Sequence, residues 1–351
     1  MFFKIGSKKI GQNLKPLIVA EISANHDSNL RQTLKLIDIA KEVGADAIKF
    51  QTYKADSMTL NLDNKNFLVK NPNSPFFKKK LYDLYDKSAM PWEWYKKIKL
   101  RAKKNKLIFF STPFDKQSLD FLETLKVPCY KVASFECNDL PLIRLIAKKK
   151  KPIIISTGMA TFSEINDAVK IVRSTGLKKI ILLKCTSSYP AKEEDYNLSA
   201  IPYMRKKFKC LIGVSDHTLG SVVPVTSISH GAVMIEKHLK FNDKSLSSDS
   251  RFSLGPDNFK KMVDEVNLAF KANGKIYLGP TKQEGISKKF RRSIIVIRNI
   301  NKNEKITEKN IKVLRPAIGI SPKYYFKVLG KKVNKKLKIG DPLKFSYLKG
   351  I

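Results

Sequence analysis

Eight short apolar runs recur along this chain, and every one of them is closed by polar or charged residues. Leu17 to Ala20 ends in Glu21, Ala47-Ile48 in Lys49 and Gln51, and Ile108 to Phe110 leads to Thr112, while Lys131 and Ser134 flank Val132-Ala133. Ile153 to Ile155 runs into Ser156 and Thr157, Ile180 to Leu183 into Thr186 and Ser187, Leu211 to Val214 into Ser215 and His217, and Met234-Ile235 into Glu236 and His238. Strands covered on both faces read as nearly continuous apolar stretches. The segments between them carry apolar residues at helical spacing: Leu30, Leu34 and Ile37; Ile165, Ala168, Val169 and Val172; Phe259, Met262, Val263 and Val266. Eight such units predict an α/β chain closed into a (β/α)8 barrel. Its strands end at one mouth, where polar residues read as catalytic.

Turn residues separate the elements. Val43-Gly44-Ala45-Asp46 and Gly176 end helices, and Pro128 and Lys151-Pro152 precede strands. Lys54 to Ser88 breaks the rhythm. It is too long for a simple loop and carries Asn61, Asn64, Asn71, Pro72 and Pro75, so it is expected as an insertion over the mouth and a candidate lid.

At 351 residues the chain exceeds one barrel of ordinary size. Residues 1–275 are assigned to the barrel, the Gly-rich and polar 276–289 to a linker, and 290–351 to a small β-rich domain. In the last, Ser293 to Ile297 reads as a strand, Thr307 to Asn310 as a short capped helix, and Gly319, Gly330, Gly340 and Pro342 as turns. A unit of that size is near the lower limit for folding alone.

The formal net charge of +37 raises the question of nucleic acid. The basic residues are spread along the whole chain with no binding module or aromatic stacking motif, which reads as solvated surface and not as a nucleic-acid footprint. Such a field still draws in anionic substrates. Cys129, Cys137, Cys185 and Cys210 form no CxxC pair and fit reduced thiols. Residues 1–11 have no apolar segment of signal-peptide length, and no run reaches the length of a membrane span, so a soluble, cytoplasmic protein without a membrane partner is expected.

Two residue pairs define the chemistry of the mouth. His217 and His238 end the seventh and eighth strands, which are neighbours in a closed barrel. Two imidazoles there suit a divalent metal, or they are neutral histidines bonded to main-chain groups. Glu236 shares a strand parity with His238, so both face inward. Lys49 and Lys131 come from the second and fourth strands, and an inward lysine is costly unless an anion or a carboxylate such as Glu21 or Glu136 accompanies it. Thr112, Ser134, Ser156 and Ser215 supply hydroxyl donors of the kind a phosphate or carboxylate needs.

The segments Val19 to His26, Lys49 to Tyr53, Ser111 to Phe114, Lys131 to Glu136, Ser156 to Met159, Cys185 to Pro190 and Gly213 to Thr218, in this order, resemble the sialic acid synthase family. Arg291 through Pro316, with Gly319, is similar to the SAF (antifreeze-like) domain that closes those synthases. Ile22 to His26 and Ala133 to Glu136 resemble the pseudaminic acid branch of the family. The resemblance implies metal-dependent condensation of phosphoenolpyruvate with the open-chain aldehyde of 2,4-diacetamido-2,4,6-trideoxy-L-altrose. The alternative acceptor is N-acetylmannosamine or a related sugar, as in N-acetylneuraminate or legionaminate synthesis. It implies a divalent ion, Mn2+ or else Mg2+ or Co2+, on His217 and His238. Phosphoenolpyruvate falls to Lys49, Thr112, Lys131, Ser134, Ser156, Ser187 and Ser215, with Asn often found in the family at the place of Ser187. Proton transfer or charge stabilisation falls to Glu21 and Glu236, and the sugar to Gln51, Glu136, Tyr189 and Asp249. Arg315 is implied to reach a partner's barrel in a domain-swapped homodimer. An aldolase with Lys49 or Lys131 as Schiff base is the competing barrel chemistry. His26 carries no assignment, and His230 is expected to be structural.

Overall fold

The computed structural model describes residues 2–70, 72 and 76–350, so Asn71 and Pro75 of the insertion lie outside the described residues. The chain divides into two compact units, Met1–Gly274 and Lys275–Ile351.

The first unit opens with a hairpin of β1 (Phe2–Ile5) and β2 (Lys8–Gly11). Eight parallel strands follow: β3 (Leu17–Glu21), β4 (Ala47–Thr52), β5 (Ile108–Pro113), β6 (Tyr130–Val132), β7 (Ile153–Ser156), β8 (Ile180–Cys185), β9 (Leu211–Asp216) and β10 (Met234–His238). They pair in chain order, and β10 closes on β3.

Side-chain alternation sorts each strand into two environments. Ile18, Ala20, Ile48, Ile153, Ile155, Leu182, Ile212 and Ile235 point outward and pack against the helices. The opposite parity points inward and changes character along each strand. Leu17, Val19, Ala47, Phe110, Cys129, Ile154, Leu183, Leu211 and Met234 form an apolar plug at the amino-terminal end of the barrel, sealed by Phe3, Ile5 and Ile10 of the hairpin. One step further up, the same parity brings Glu21, Lys49, Lys131, Ser156, Ser215 and Glu236, all buried. The barrel interior is therefore hydrocarbon below and charge above. Gly213 fits this packing, because a Cβ there would lie 2.6 Å from the Met234 carbonyl oxygen and 2.8 Å from Leu183 Cδ2.

The helices over Ile165 to Val172 and Phe259 to Val266 bury the residues their periodicity predicts. The first helix, Leu30–Glu42, is rotated from the expected face and buries Thr33, Leu36, Ile37 and Ala40. Thr33 tolerates burial because its hydroxyl donates to the Asn29 carbonyl at 2.8 Å.

The Lys54 to Ser88 insertion contains helices Ala55–Met58 and Leu81–Ser88 with a short 3-10 turn, Lys65–Phe67, between them. His26 anchors its end: Nε2 lies 3.2 Å from the Ser88 carbonyl oxygen, and Nδ1 accepts from the Ser28 amide at 3.0 Å. That tautomer donates through Nε2, and His26 is a strut of the loop. His230 follows the helix Val222–Ser229, and its carbonyl accepts from Arg205 at 2.6 Å.

In the second unit β11 (Ser293–Val296) and β12 (Ile311–Leu314) pair antiparallel over a core that includes Ile294, Ile300, Val328, Val333, Leu337 and Leu343. Residues 276–289 are not featureless, since Thr281 caps a short helix, Lys282–Ser287. Thr307 to Asn310 is a turn and not the expected helix. The Asn310 side chain accepts from the Thr307 amide at 2.9 Å, and the chain passes at once into β12. All four cysteines are buried free thiols. Among the described residues, no helix is long and apolar enough to cross a membrane.

Candidate active site

The upper ends of the strands line a cavity of about 730 Å³, a size suited to a small-molecule site. From the barrel come Lys49, Gln51, Lys131, Ser134, Ser156 and Cys185, then Ser187, Ser215, His217, Glu236 and His238. Tyr189 and Asp249 complete the wall from loops.

Strand register sets the neighbours. Glu21 pairs across β3 and β4 with Lys49, and across β10 with His238, while Glu236 pairs with Ser215. The result is a buried group of four charges. Lys49 Nζ forms an ion pair with Glu21 and lies 3.6 Å from Glu236 Oε1, which is 3.8 Å from Lys131 Nζ. Lys131 also donates to Ser156 Oγ at 2.6 Å and to the Val132 carbonyl at 3.1 Å, and Ser215 donates to Glu236 at 3.2 Å. Of the carboxylates expected as alternative lysine partners, Glu21 is therefore joined to Lys49, whereas Glu136 forms no ion pair in this group.

Burial weighs on all four groups, and the neighbours decide the outcome. For Lys49, burial opposes the charge, but the Glu21 and Glu236 carboxylates outweigh it and hold the ammonium above its ordinary range. Glu236 is likewise opposed by burial, yet Lys131 and Lys49 hold it below the usual carboxylate range. Burial prevails at the other two: it pushes Glu21 up despite Lys49, and Lys131 down despite Glu236.

The imidazoles of His217 and His238 stand with centroids 5.3 Å apart, and Phe252 packs edge-on against both. His217 is held at three points by the loop after β8. Its Nδ1–H donates to the Thr186 carbonyl at 3.0 Å, its amide donates to Tyr196 Oη at 2.8 Å, and its carbonyl accepts from the Ala191 amide at 3.0 Å. The Tyr196 hydroxyl donates in turn to the Ser215 carbonyl at 2.9 Å. Burial, then the neighbouring His238, push the His217 pKa down to about 3, so the ring is neutral and Nε2 keeps a lone pair. His238 Nδ1 lies 3.5 Å from Asp249 Oδ2. Behind the ring pair, on the outward parity, Lys237 and Asp216 form a fully buried ion pair at 2.5 Å, and Lys237 also binds the Thr218 carbonyl.

Nine buried side-chain polar atoms among the described residues make no hydrogen bond, although one of them, Glu21 Oε2, is met by the Lys49 ion pair, and seven belong to Glu21, Thr112, Glu136, Ser187, Glu236 and His238. Buried polar groups are ordinarily satisfied, so this concentration marks a surface built to meet a ligand. Two imidazoles beside carboxylate oxygens fit a divalent cation. Among the described residues no three His, Cys, Asp or Glu side chains are arranged to hold one by themselves. The two histidines would therefore hold a cation only together with oxygen ligands from water or substrate.

Three of the expected site residues are not on the cavity wall. Glu21 sits buried against Lys49, Thr112 faces inward on β5, and Glu136 follows Phe135 in the loop after β6. Arg315 follows β12 in the second unit. The wall also contains residues that sequence reading passed over: Ser23, Tyr53, Leu84, Tyr85, Arg251 and Phe252. Cys185 was readable, because it continues the inward parity of Leu183.

The sequence profile described as the NeuB family matches residues 36–277, and that of the SAF domain matches residues 291–349. The chain is 43% identical over 330 residues to the pseudaminic acid synthase of Campylobacter jejuni, covering 94% of this chain and 96% of that protein. It is 42% identical over 330 residues to the pseudaminic acid synthase of Helicobacter pylori, covering 93% and 96% respectively. The crystal structure of an N-acetylneuraminic acid (sialic acid) synthetase from Leptospira borgpetersenii in complex with citrate superposes with a TM-score of 0.73 at 32% identity, over 82% of this chain and 95% of that one.

Tyr196→Phe leaves the buried His217 amide without its acceptor. Chemical denaturation is expected to show a loss of about 1–3 kcal/mol; an unchanged midpoint and slope would show that the clamp on His217 does not depend on this hydroxyl.

Proposed function

The chain belongs to the NeuB family and carries a SAF domain, and we propose that it works as a pseudaminic acid synthase. It is a phosphoenolpyruvate-dependent transferase that forms a carbon–carbon bond. The acceptor we assign is the open-chain aldehyde of 2,4-diacetamido-2,4,6-trideoxy-L-altrose. The observation that carries this reading is the placement of two buried ammonium groups, Lys49 and Lys131, in the same cavity as the imidazole pair. One end suits a phosphorylated anion and the other a polarised carbonyl oxygen.

In this reading Lys131, Ser134, Ser156, Ser187 and Ser215 grip the phosphate and carboxylate of phosphoenolpyruvate, with Lys49 beside them. Thr112 supports the same end from beneath. A trianion entering a group that is already balanced by Glu21 and Glu236 leaves excess negative charge. Glu21, pushed up by burial, is the group placed to take a proton as the anion binds. His217 and His238 would hold a divalent ion, Mn2+ or else Mg2+ or Co2+, which when bound supplies Lewis-acid polarisation of the aldehyde.

The enol methylene carbon attacks the aldehyde carbon, forming the new C–C bond as the C=O π bond breaks, and the resulting alkoxide takes a proton from solvent water to become a hydroxyl. Positive charge develops on the phosphate-bearing carbon. Glu236, held ionised by its two lysines, faces that charge and accepts a proton from the water that adds there, while Glu21, buried against Lys49, acts as the proton-transfer partner. The C–O bond to phosphate then breaks as the new hydroxyl on the same carbon gives its proton to the departing phosphate, leaving the ketone of a nine-carbon acid. Gln51, Glu136, Tyr189 and Asp249 are assigned to the sugar. Asp249 is suited to this because contact with His238 and with the Ala24 amide outweighs burial and keeps it ionised. Arg315 is assigned to the sugar in the barrel of a second copy, which makes the working enzyme a homodimer.

Purified protein with phosphoenolpyruvate and the diacetamido sugar is expected to release phosphate at a rate that falls to background with EDTA and returns with Mn2+. Full activity in chelator, together with trapping by borohydride, would instead identify a Schiff-base aldolase. Arg315→Ala is expected to raise the sugar KM by about tenfold or more, the effect of losing one charged hydrogen bond, with little change in the KM for phosphoenolpyruvate. Equal rises in both would refute its contact with the sugar.

A further inference from the structure

The cavity has two chemically distinct sides. Its barrel side is charged and hydroxylic, while the facing rim is built from chain outside the barrel: Phe76, Leu84 and Tyr85 of the insertion, together with Tyr53 and Phe135. This rim is mostly hydrocarbon and aromatic ring, with the tyrosine hydroxyls and Ser88 as its polar groups, and ring contacts hold Tyr53 and Tyr85. Tyr85 meets Tyr53 edge-on at 6.1 Å, and Tyr53 meets Phe114 in the same way at 5.4 Å. The carboxyl end of the Leu81–Ser88 helix is tied down by His26 at the Ser88 carbonyl and by Ser28 Oγ, which donates to the Lys87 carbonyl at 3.3 Å. Leu84 and Tyr85 therefore face the cavity from a supported helix and not from a loose loop.

We propose that Leu84 and Tyr85 select the acceptor sugar, by packing against the methyl groups of a deoxy, acetamido-bearing tail and rejecting a tail that ends in a hydroxymethyl group. The proposal rests on the synthase reading above and adds the residues that choose its substrate. On that reading the aldehyde carbon lies near His217 and His238, because a divalent ion held there would polarise its oxygen. The remainder of an open-chain sugar then extends away from the imidazoles, towards the rim. A methyl group gains from contact with Leu84 and the Tyr85 ring, whereas a hydroxyl held there loses water and finds no partner on the leucine. A hydrophobic wall separates such tails by a factor of about 10 to 200. This is modest beside recognition of a hydroxyl by a dedicated hydrogen bond, but it acts at more than one methyl group.

The test compares wild type, Leu84→Asn and Tyr85→Ser, each saturated with Mn2+ and phosphoenolpyruvate. Phosphate release gives kcat/KM for 2,4-diacetamido-2,4,6-trideoxy-L-altrose and for N-acetylmannosamine. The wild type is expected to prefer the deoxy sugar, and each substitution to lower that preference by about tenfold or more while the KM for phosphoenolpyruvate stays within about twofold, as expected for a change remote from the anion. If one variant fails to fold, the other decides. An unchanged preference, or an equal loss with both sugars, overturns the assignment of selectivity to this rim. A wild type that releases phosphate with neither sugar overturns the synthase reading as well, and is distinguished by the inactivity of the unsubstituted protein.

Discussion

Four charges share the dry interior of the barrel, and the architecture around them follows from their mutual need. Removing any one of Glu21, Lys49, Lys131 or Glu236 leaves a partner charged and out of water, a situation that ordinarily costs about 3–5 kcal/mol. The four come from β3, β4, β6 and β10, so their attraction acts across the barrel and not along one strand. They also make the site ready. Their positions are fixed before any anion arrives, and preorganised charge needs no rearrangement at the moment of reaction.

The plug beneath them and the clamp beside them serve the same end. Leucine, isoleucine and phenylalanine fill the lower barrel, so the charges rest on a floor that excludes water from below. The loop after β8 fixes His217 through Thr186, Ala191 and Tyr196, and the outward-facing Lys237–Asp216 pair ties the ends of β9 and β10 together behind the rings. The imidazole end and the lysine end of the cavity are thus set by different interactions, with the supporting Lys237–Asp216 pair on the opposite parity of the same strands. Sequence neighbours such as Glu236, Lys237 and His238 consequently have different tasks.

Much of this was legible in the sequence because a barrel strand writes its geometry with a period of two. Glu236 and His238 share a parity, Lys49 and Gln51 share another, and those alternations place their side chains without reference to distant contacts. The amino-terminal hairpin escaped notice because each strand has only four residues, and Lys8 and Lys9 mask the buried Ile5 and Ile10. The rotated face of Leu30–Glu42 escaped because Thr33 reads as polar, although its hydroxyl is satisfied within the helix and can be buried. At the site, Leu84, Tyr85, Arg251 and Phe252 carried no signal, since residues delivered by an insertion or a long loop obey no periodicity that links them to the mouth. Thr112 shows the converse, since it has the inward parity of Phe110 yet lies off the cavity wall, and Glu136, in the loop beyond β6, lies off it as well.

The central claim is that the buried lysines form an anion site that exists before chemistry begins. The most direct measurement is calorimetric titration of phosphoenolpyruvate into metal-free protein, wild type against Lys131→Met. The account predicts saturable binding by the wild type and a loss of affinity of about 30-fold or more in the variant, corresponding to about 2 kcal/mol for a desolvated charge contact. Equal affinity in the two proteins, with the variant folded, would contradict it.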